Sequence, residues 1–165
     1  MAAVPAEYLD LLERKAAFAH LATIMPDGTP QVTPVWFDYT NGKIRINSAK
    51  GRVKTRNMRE GAPVALSILD PDNPYRYIQI RGRVVHVTEE GASAHIDSLA
   101  KKYLGQDKYP YSRPGEIRVT FEIEPTACRS PADPRSYLTR GPRPHRRIAR
   151  ERPDGPAISE ATRRM

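Results

Sequence analysis

The chain has 165 residues, with 27 lysine and arginine side chains against 19 aspartate and glutamate side chains, a formal net charge of +8. This length fits one domain with its own core. The single cysteine, Cys128, excludes an internal disulfide framework and a multi-cysteine metal site. No apolar run approaches the roughly 18 residues of a membrane span, and residues 1–12 lack a basic leader, so we expect a soluble cytoplasmic protein.

The positive charge is unevenly distributed along the chain. Residues 1–127 hold 17 basic and 15 acidic side chains, a net charge of +2, whereas residues 128–165 hold ten arginines and four acidic side chains, a net charge of +6. The second segment also holds 6 of the 16 prolines. We therefore predict a folded domain over residues 1–127 and an Arg/Pro-rich tail over residues 128–165, extended or disordered because it can bury little apolar surface.

The predicted elements begin with a helix after Pro5, a residue that is tolerated in the first helical turn. Three strands follow from apolar alternation, over residues 18–25, 31–39 and 43–47. Asp27-Gly28 and Asn41-Gly42 separate these strands and favour tight hairpins, because both residue pairs tolerate positive φ. A short basic helix is predicted over residues 49–60.

The second half of the domain is predicted to hold three more strands around one helix. These strands cover residues 64–69, 75–87 and 115–125. Gly82, inside the second of them, indicates a bulge or a close backbone approach. Six strands and about three helices without βαβ alternation indicate an α+β fold that is mainly β, an antiparallel barrel rather than a doubly wound sheet.

The most informative stretch for function is the basic segment over residues 48–59, which has five basic side chains within ten positions. A helix N-terminus beside lysine and arginine favours phosphate. A solvated basic surface is the plainer interpretation, since charge runs usually face solvent. Mutual repulsion among these side chains, with only Glu60 nearby to balance them, makes an anionic ligand a reasonable partner.

A second candidate is the strand segment over residues 33–37, where a flat ring could lie against the backbone. The alternative interpretation is that Trp36 and Phe37 are ordinary aromatic residues of the core and its rim. His20, His86 and His95 show no metal-ligand spacing, and no nucleophile or phosphate-loop motif is present. A cofactor is therefore expected to supply the reactive atom if the protein is an enzyme.

The arrangement of several short motifs resembles a known family. These motifs are Leu21-Ala22-Thr23-Ile24-Met25-Pro26-Asp27-Gly28-Thr29-Pro30, Pro34-Val35-Trp36-Phe37, Lys54-Thr55-Arg56-Asn57, Tyr103-Leu104-Gly105 and Gly115-Glu116-Ile117-Arg118-Val119. They resemble the pyridoxamine 5′-phosphate oxidase-like split β-barrel superfamily, and within it the F-420-dependent flavin/deazaflavin oxidoreductase B group. The resemblance implies a six-stranded antiparallel split β-barrel with flanking helices, of the FMN-binding type.

The resemblance also implies a homodimer with cofactor sites at the subunit interface. The candidates for the phosphate side are Lys50, Lys54, Arg56 and Asn57. The candidates beside the ring are Thr33, Pro34, Val35, Trp36, Ile46, Asn47 and Ser48. Three residues of the long strand are expected to come from the partner subunit: Tyr77, Gln79 and Arg81.

The implied activity is hydride transfer between the F-420 deazaflavin ring and a small electron-poor acceptor. An FMN-binding oxidoreductase of the pyridoxamine phosphate oxidase type is one alternative, and a cofactor carrier without turnover is another. A third hypothesis is nucleic-acid binding through the tail, against which the near-neutral folded part argues. The motif that grips pyridoxal at the end of the last strand in true pyridoxamine phosphate oxidases has no counterpart before Cys128.

Overall fold

The computed structural model describes residues 2–131; Met1 and residues 132–165, which include most of the predicted tail, lie outside the described residues. A 3-10 turn, Ala6–Tyr8, leads into the first of three helices, which are α1 Leu9–Glu13, α2 Val53–Asn57 and α3 Ala92–Leu104. The strands are β1 Ala19–Ile24, β2 Pro30–Val35, β3 Phe37–Thr40, β4 Lys43–Ala49, β5 Pro63–Leu69, β6 Tyr77–Thr88 and β7 Arg118–Arg129. None of these three helices is long and apolar enough to cross a membrane.

The strands form one antiparallel sheet in the order β2-β1-β5-β6-β7-β4-β3. Its two edge strands, β2 and β3, are consecutive in sequence and are separated by Trp36 alone. Because the backbone from Val35 to Phe37 spans at most about 7 Å, the sheet must curl until its edges approach each other. This closure is the split β-barrel that the sequence predicted.

The prediction of one strand over residues 31–39 was wrong, and the sheet therefore has seven strands rather than six. Val35 pairs with Ala19 of β1, whereas Phe37 pairs with Ile46 of β4. The chain thus leaves one edge of the sheet and enters the other at Trp36. Apolar alternation continues through this position, so the sequence pattern carries no sign of the break.

The helix predicted over residues 49–60 is also shorter in the structure. Only Val53–Asn57 is helical, and Lys50, Arg52 and Arg59 lie outside it. The last strand runs to Arg129, two residues beyond the predicted end of the folded domain.

The barrel interior is filled by the apolar faces of the strands. On β6, Ile78 and Ile80 are fully buried while Gln79 and Arg81 are exposed, which is the alternation that the sequence predicted. Leu11 of α1 is buried in the same core. The side chains that this core turns outward are therefore available to shape surface sites.

Gly82 interrupts β6 at the point where its pairing with β7 shifts register. A Cβ at this position would lie 2.7 Å from the Glu124 carbonyl oxygen and 2.7 Å from the Ile123 side chain. The close backbone approach predicted from the sequence is confirmed, and it lets two twelve-residue strands curve together.

Replacement of Gly82 by alanine is expected to lower the free energy of unfolding by about 1 to 3 kcal/mol, because the added methyl group must displace backbone. Urea denaturation measures this change. Val85→Thr, at an exposed position of the same strand, is the matched control and should stay within about 0.5 kcal/mol of the wild type. Equal stability of Gly82→Ala and wild type would contradict the packing described here.

Candidate functional site

A cleft of about 180 Å³ opens beside Trp36, the residue that links the two sheet edges. Pro34 and Val35 of β2 line one part of it, and Asn47 of β4 lines another. Ile96 of α3 adds an apolar side chain. The cleft is therefore built from segments that only barrel closure brings together.

Aromatic side chains form one wall of the cleft, and a further aromatic side chain packs behind that wall. The Trp36 ring stacks on Tyr103 with centroids 5.0 Å apart and planes 4° from parallel. Tyr109 meets Trp36 edge-on at 5.8 Å, and Tyr111 in turn meets Tyr109 at 5.6 Å. Phe18, 48% exposed, lines the cleft mouth and contacts the Tyr103 ring. Such a wall presents flat apolar faces to a planar ligand.

Tyr103 holds this wall in place from behind. Its hydroxyl donates to the Ala17 carbonyl oxygen at 2.7 Å, and the Phe37 amide donates to it at 3.3 Å. Burial raises the pKa of Tyr103, so the phenol stays neutral. The stacked Trp36 ring therefore rests on a side chain whose polar end is bonded to the backbone.

Three cationic side chains line the cleft: Arg52, Lys54 and Arg118. Arg118 is 7% exposed, and its guanidinium lies 4.5 Å from the centre of the Tyr109 ring. Glu116 pairs with Arg118, and its other oxygen lies 3.6 Å from Arg52. Glu116 thus pairs with two of the three cations, and the cleft lining has a surplus of positive charge.

This surplus charge is poorly compensated by the protein. Burial, and then the charge of Arg52, lower the pKa of the Lys54 ammonium. Within residues 2–131 the Nε of Arg118 has no hydrogen-bond partner. Buried polar groups are normally paired, so both side chains would gain from an anion bound in the cleft.

Four of the residues predicted to lie beside a ring line the cleft: Pro34, Val35, Trp36 and Asn47. The Thr33 hydroxyl is buried without a hydrogen-bond partner in the described part of the chain. Ile46 belongs to the core, and the buried Ser48 hydroxyl lies 2.9 Å from that of Thr55. The last two side chains are thus placed in the interior rather than in the cleft.

Among the predicted phosphate ligands, only Lys54 lines the cleft. Lys50 instead pairs with Glu89 beside a separate depression. Arg56 donates to a neighbouring backbone carbonyl and is exposed, and the Asn57 amide donates to a β1 hydroxyl at 3.0 Å. The structure of the single chain therefore does not gather these four side chains into one clamp: Lys50 lies outside α2, and the three residues inside α2 have different surroundings.

Tyr77, Gln79 and Arg81 lie on the outward face of β6 and do not line the cleft of their own chain. A role at the cleft requires them to come from a second copy, as the resemblance implied. That role, like the cofactor-binding role of the other residues, stays a prediction.

Sequence reasoning missed Arg118 and the pair Tyr109 and Tyr111. Arg118 sits among the alternating apolar residues of β7, and strand alternation alone gives no reason to single it out. The aromatic residues lie in the irregular connection after α3. Two tyrosines in a loop without apolar periodicity could have indicated a binding surface, since a loop of this kind does not pack into the core.

A partly buried polar cluster of Arg45, Asp38 and His95 lies next to the cleft. Arg45 donates to Asp38 through two nitrogens, at 2.8 and 2.6 Å. The Nε2 of His95 lies 3.4 Å from Asp38. Burial opposes ionisation of Asp38, but its interactions with His95 and Arg45 outweigh this effect and lower the pKa of Asp38 from 3.8 to about 2. Asp38 is therefore an ionised carboxylate at neutral pH.

Together these features define a split β-barrel whose cleft suits a planar ligand with an anionic group. The chain belongs to the pyridoxamine 5′-phosphate oxidase family, because the model of that family matches residues 4–130. The resemblance inferred from the sequence motifs is confirmed. No curated protein matches the chain at a significant level.

Solved structures support the same family. One named F420 Reductase is 38% identical, with a TM-score of 0.67, and the match covers 76% of this chain and 98% of that one. The conserved hypothetical protein Rv2991 from Mycobacterium tuberculosis is 25% identical, with a TM-score of 0.59 and coverage of 79% and 85%. A putative pyridoxamine 5′-phosphate oxidase from Listeria innocua, at 21% identity and a TM-score of 0.57 with coverage of 75% and 94%, shares the fold.

The lowered pKa of Asp38 predicts an acid-dependent loss of stability. A carboxyl whose pKa is depressed by folding stabilises the protein above its unfolded pKa near 3.8 and loses that effect as the pH falls through about 2. Allowing for solvent screening, this contribution is about 1 to 2 kcal/mol. Urea denaturation at pH 5 and at pH 2.5 should show a smaller pH effect in Asp38→Asn than in wild type. Asp107→Asn, at an exposed carboxylate, should keep the wild-type pH effect, and an unchanged pH effect in Asp38→Asn would contradict the assignment.

Proposed function

We propose that this protein is an F-420-dependent oxidoreductase that transfers a hydride between the deazaflavin ring and a small electron-poor organic acceptor. The observation that carries this proposal is the cation cluster of Arg52, Lys54 and Arg118 at an aromatic cleft. The cluster suits a phosphate and the aromatic wall suits a flat ring, and F-420 joins both in one molecule. The 38% identity to a structure named F420 Reductase supports the same cofactor.

The chain's own residues fit such a ligand on physical grounds. The unpartnered Nε of Arg118 and the destabilised ammonium of Lys54 both gain charge-assisted hydrogen bonds from a phosphate group. Arg52 has a side chain 46% exposed, and it can reach anionic groups that extend beyond the phosphate, such as the glutamyl tail of F-420. Positive charge is thus present both inside the cleft and at its rim.

In the proposed reaction, bound F-420 supplies the ring carbon that gives or takes the hydride. The protein supplies position and electrostatics. Lys54 and Arg118 anchor the phosphate, and Trp36, held by Tyr103, limits the tilt of the ring. The exposed Phe18 and Tyr111 give the acceptor an apolar surface at the mouth of the cleft.

FMN is the alternative cofactor, favoured by the family to which the chain belongs. FMN also has a flat ring and a phosphate, so the same residues would serve it. In either case we propose a homodimer, in which Tyr77, Gln79 and Arg81 of β6 approach the cleft of the other copy.

Equilibrium titration of the full chain with F-420 and with FMN tests the proposal. F-420 is expected to bind more tightly than FMN. Failure to bind either one below about 100 μM would overturn the cofactor assignment, and tighter binding of FMN would overturn the choice of F-420. Reductase assays over a panel of enones and quinones then separate an enzyme from a carrier, since tight binding without turnover contradicts the proposed activity.

Lys54→Ala is expected to weaken F-420 binding about 10- to 100-fold, because a half-buried charge that pairs with phosphate is lost. The matched control is Lys101→Ala, at an exposed lysine of α3 that pairs with Asp107. The control should bind as the wild type does. Equal effects of the two substitutions would show that only overall charge matters and would contradict a phosphate site at Lys54.

A further inference from the structure

Asn47 has an unusual position among the residues that line the cleft. Its side chain is 8% exposed, and its Nδ2 donates to the Ala92 carbonyl oxygen at 2.7 Å and lies 3.5 Å from the Thr120 hydroxyl. Its Oδ1 is buried and has no hydrogen-bond partner among residues 2–131. Both N–H groups of the amide thus have acceptors in the protein, and its oxygen is left for a ligand.

The Thr120 hydroxyl also contacts a histidine of α3. Nδ1 of His95 lies 3.0 Å from Thr120 Oγ1, while its Nε2 lies 3.4 Å from Oδ2 of Asp38 and has no hydrogen-bond partner among residues 2–131. Thr120 and His95 are 6% and 7% exposed. Asn47, His95 and Thr120 come from β4, α3 and β7, so three elements fix the position of the Asn47 amide.

The direction of the hydrogen bond between Asn47 and Thr120 follows from the amide. Its Nδ2 can only donate, so the Thr120 oxygen accepts from it. The Thr120 hydroxyl is in turn held by its contact with Nδ1 of His95. The amide is therefore held through its nitrogen, and its oxygen is the side-chain atom left without a partner in the described part of the chain.

We propose that His95 and Thr120 are positioning residues that hold the Asn47 amide by its nitrogen, so that Oδ1 accepts a hydrogen bond from the imide N–H of the bound ring. This inference rests on the proposed function, because both F-420 and FMN carry such an imide. The Ala92 carbonyl prevents a flip of the amide, since a flip would set oxygen against oxygen. Thr120 fixes the remaining rotation of the amide plane.

The test compares binding of two probes, which are the cofactor that the wild type binds and the same cofactor methylated at its imide nitrogen. Methylation removes the donor, so the wild type should prefer the parent by about tenfold, the cost of one hydrogen bond in a buried site. Asn47→Ala should lose most of this preference. Thr120→Val, which keeps the shape of the side chain but removes its hydroxyl, should reduce the preference at least threefold, and Thr120→Ser should restore it.

The role of His95 is tested by a double-mutant cycle. His95→Phe keeps a ring but removes both nitrogens, and it should reduce the preference as Thr120→Val does. The double variant should lose no more than either single variant, because both residues act through the Asn47 amide. A purely structural defect would weaken binding of both probes equally and leave their ratio unchanged.

Each outcome separates this inference from the proposed function. If the wild type binds neither F-420 nor FMN, the proposed function fails, and this inference fails with it. If the wild type binds a cofactor but shows no preference for the imide N–H, the acceptor role of Asn47 is overturned. If the preference is present in wild type and intact in Thr120→Val, the positioning role of Thr120 and His95 is overturned. Thermal unfolding of each variant identifies any variant that fails to fold, in which case His95→Gln and Asn47→Leu, which is similar in size to asparagine and has no acceptor, provide the comparison, and both should reduce the preference.

Discussion

A single residue, Trp36, connects the two opposite edges of the sheet, and the rest of the structure depends on this connection. Among residues 2–131, β2 pairs only with β1 and β3 pairs only with β4, so the other strands of the sheet connect these two edges. Such closure brings the two edges of the sheet close together, where an open seven-stranded sheet would leave them far apart. It also leaves a seam where the edges approach without pairing, and the cleft lies at that seam.

The long strand β7 determines which polar groups reach the seam. It pairs with β6 along one edge and with β4 along the other, which places Thr120 opposite Asn47 and Arg118 opposite Ala49. Since neighbouring strands are about 5 Å apart, side chains on the same face at these paired positions are within reach of each other. The unpartnered oxygen of Asn47 and the buried guanidinium of Arg118 are therefore consequences of one strand register.

The sequence predicts much of this fold because side-chain alternation records which face of a strand is buried. The pattern of Ile78 and Ile80 against Gln79 and Arg81 identifies β6 and its orientation, and Gly82 marks its bulge. The pattern is silent about pairing partners, and so it does not reveal that the chain changes edges at Trp36. The place of Arg118 in the cleft lining depends on which strand lies beside β7, and the sequence pattern does not give that. A charged residue in an alternating strand ordinarily indicates only a solvent-facing position.

The basic segment over residues 48–59 shows that composition alone does not identify the residues of a functional site. Its composition indicates an anionic ligand. Helical spacing does not predict which of its side chains lie together, because only Val53–Asn57 is helical. The structure selects Lys54 and Arg52 from this segment and adds Arg118 from β7, so the cation cluster is assembled across the fold. F-420 and FMN share a ring and a phosphate and differ in the charge beyond the phosphate. Within the proposed function, that difference falls on the exposed Arg52 rather than on the buried Arg118, so the rim of the cleft distinguishes the two cofactors while its interior serves both.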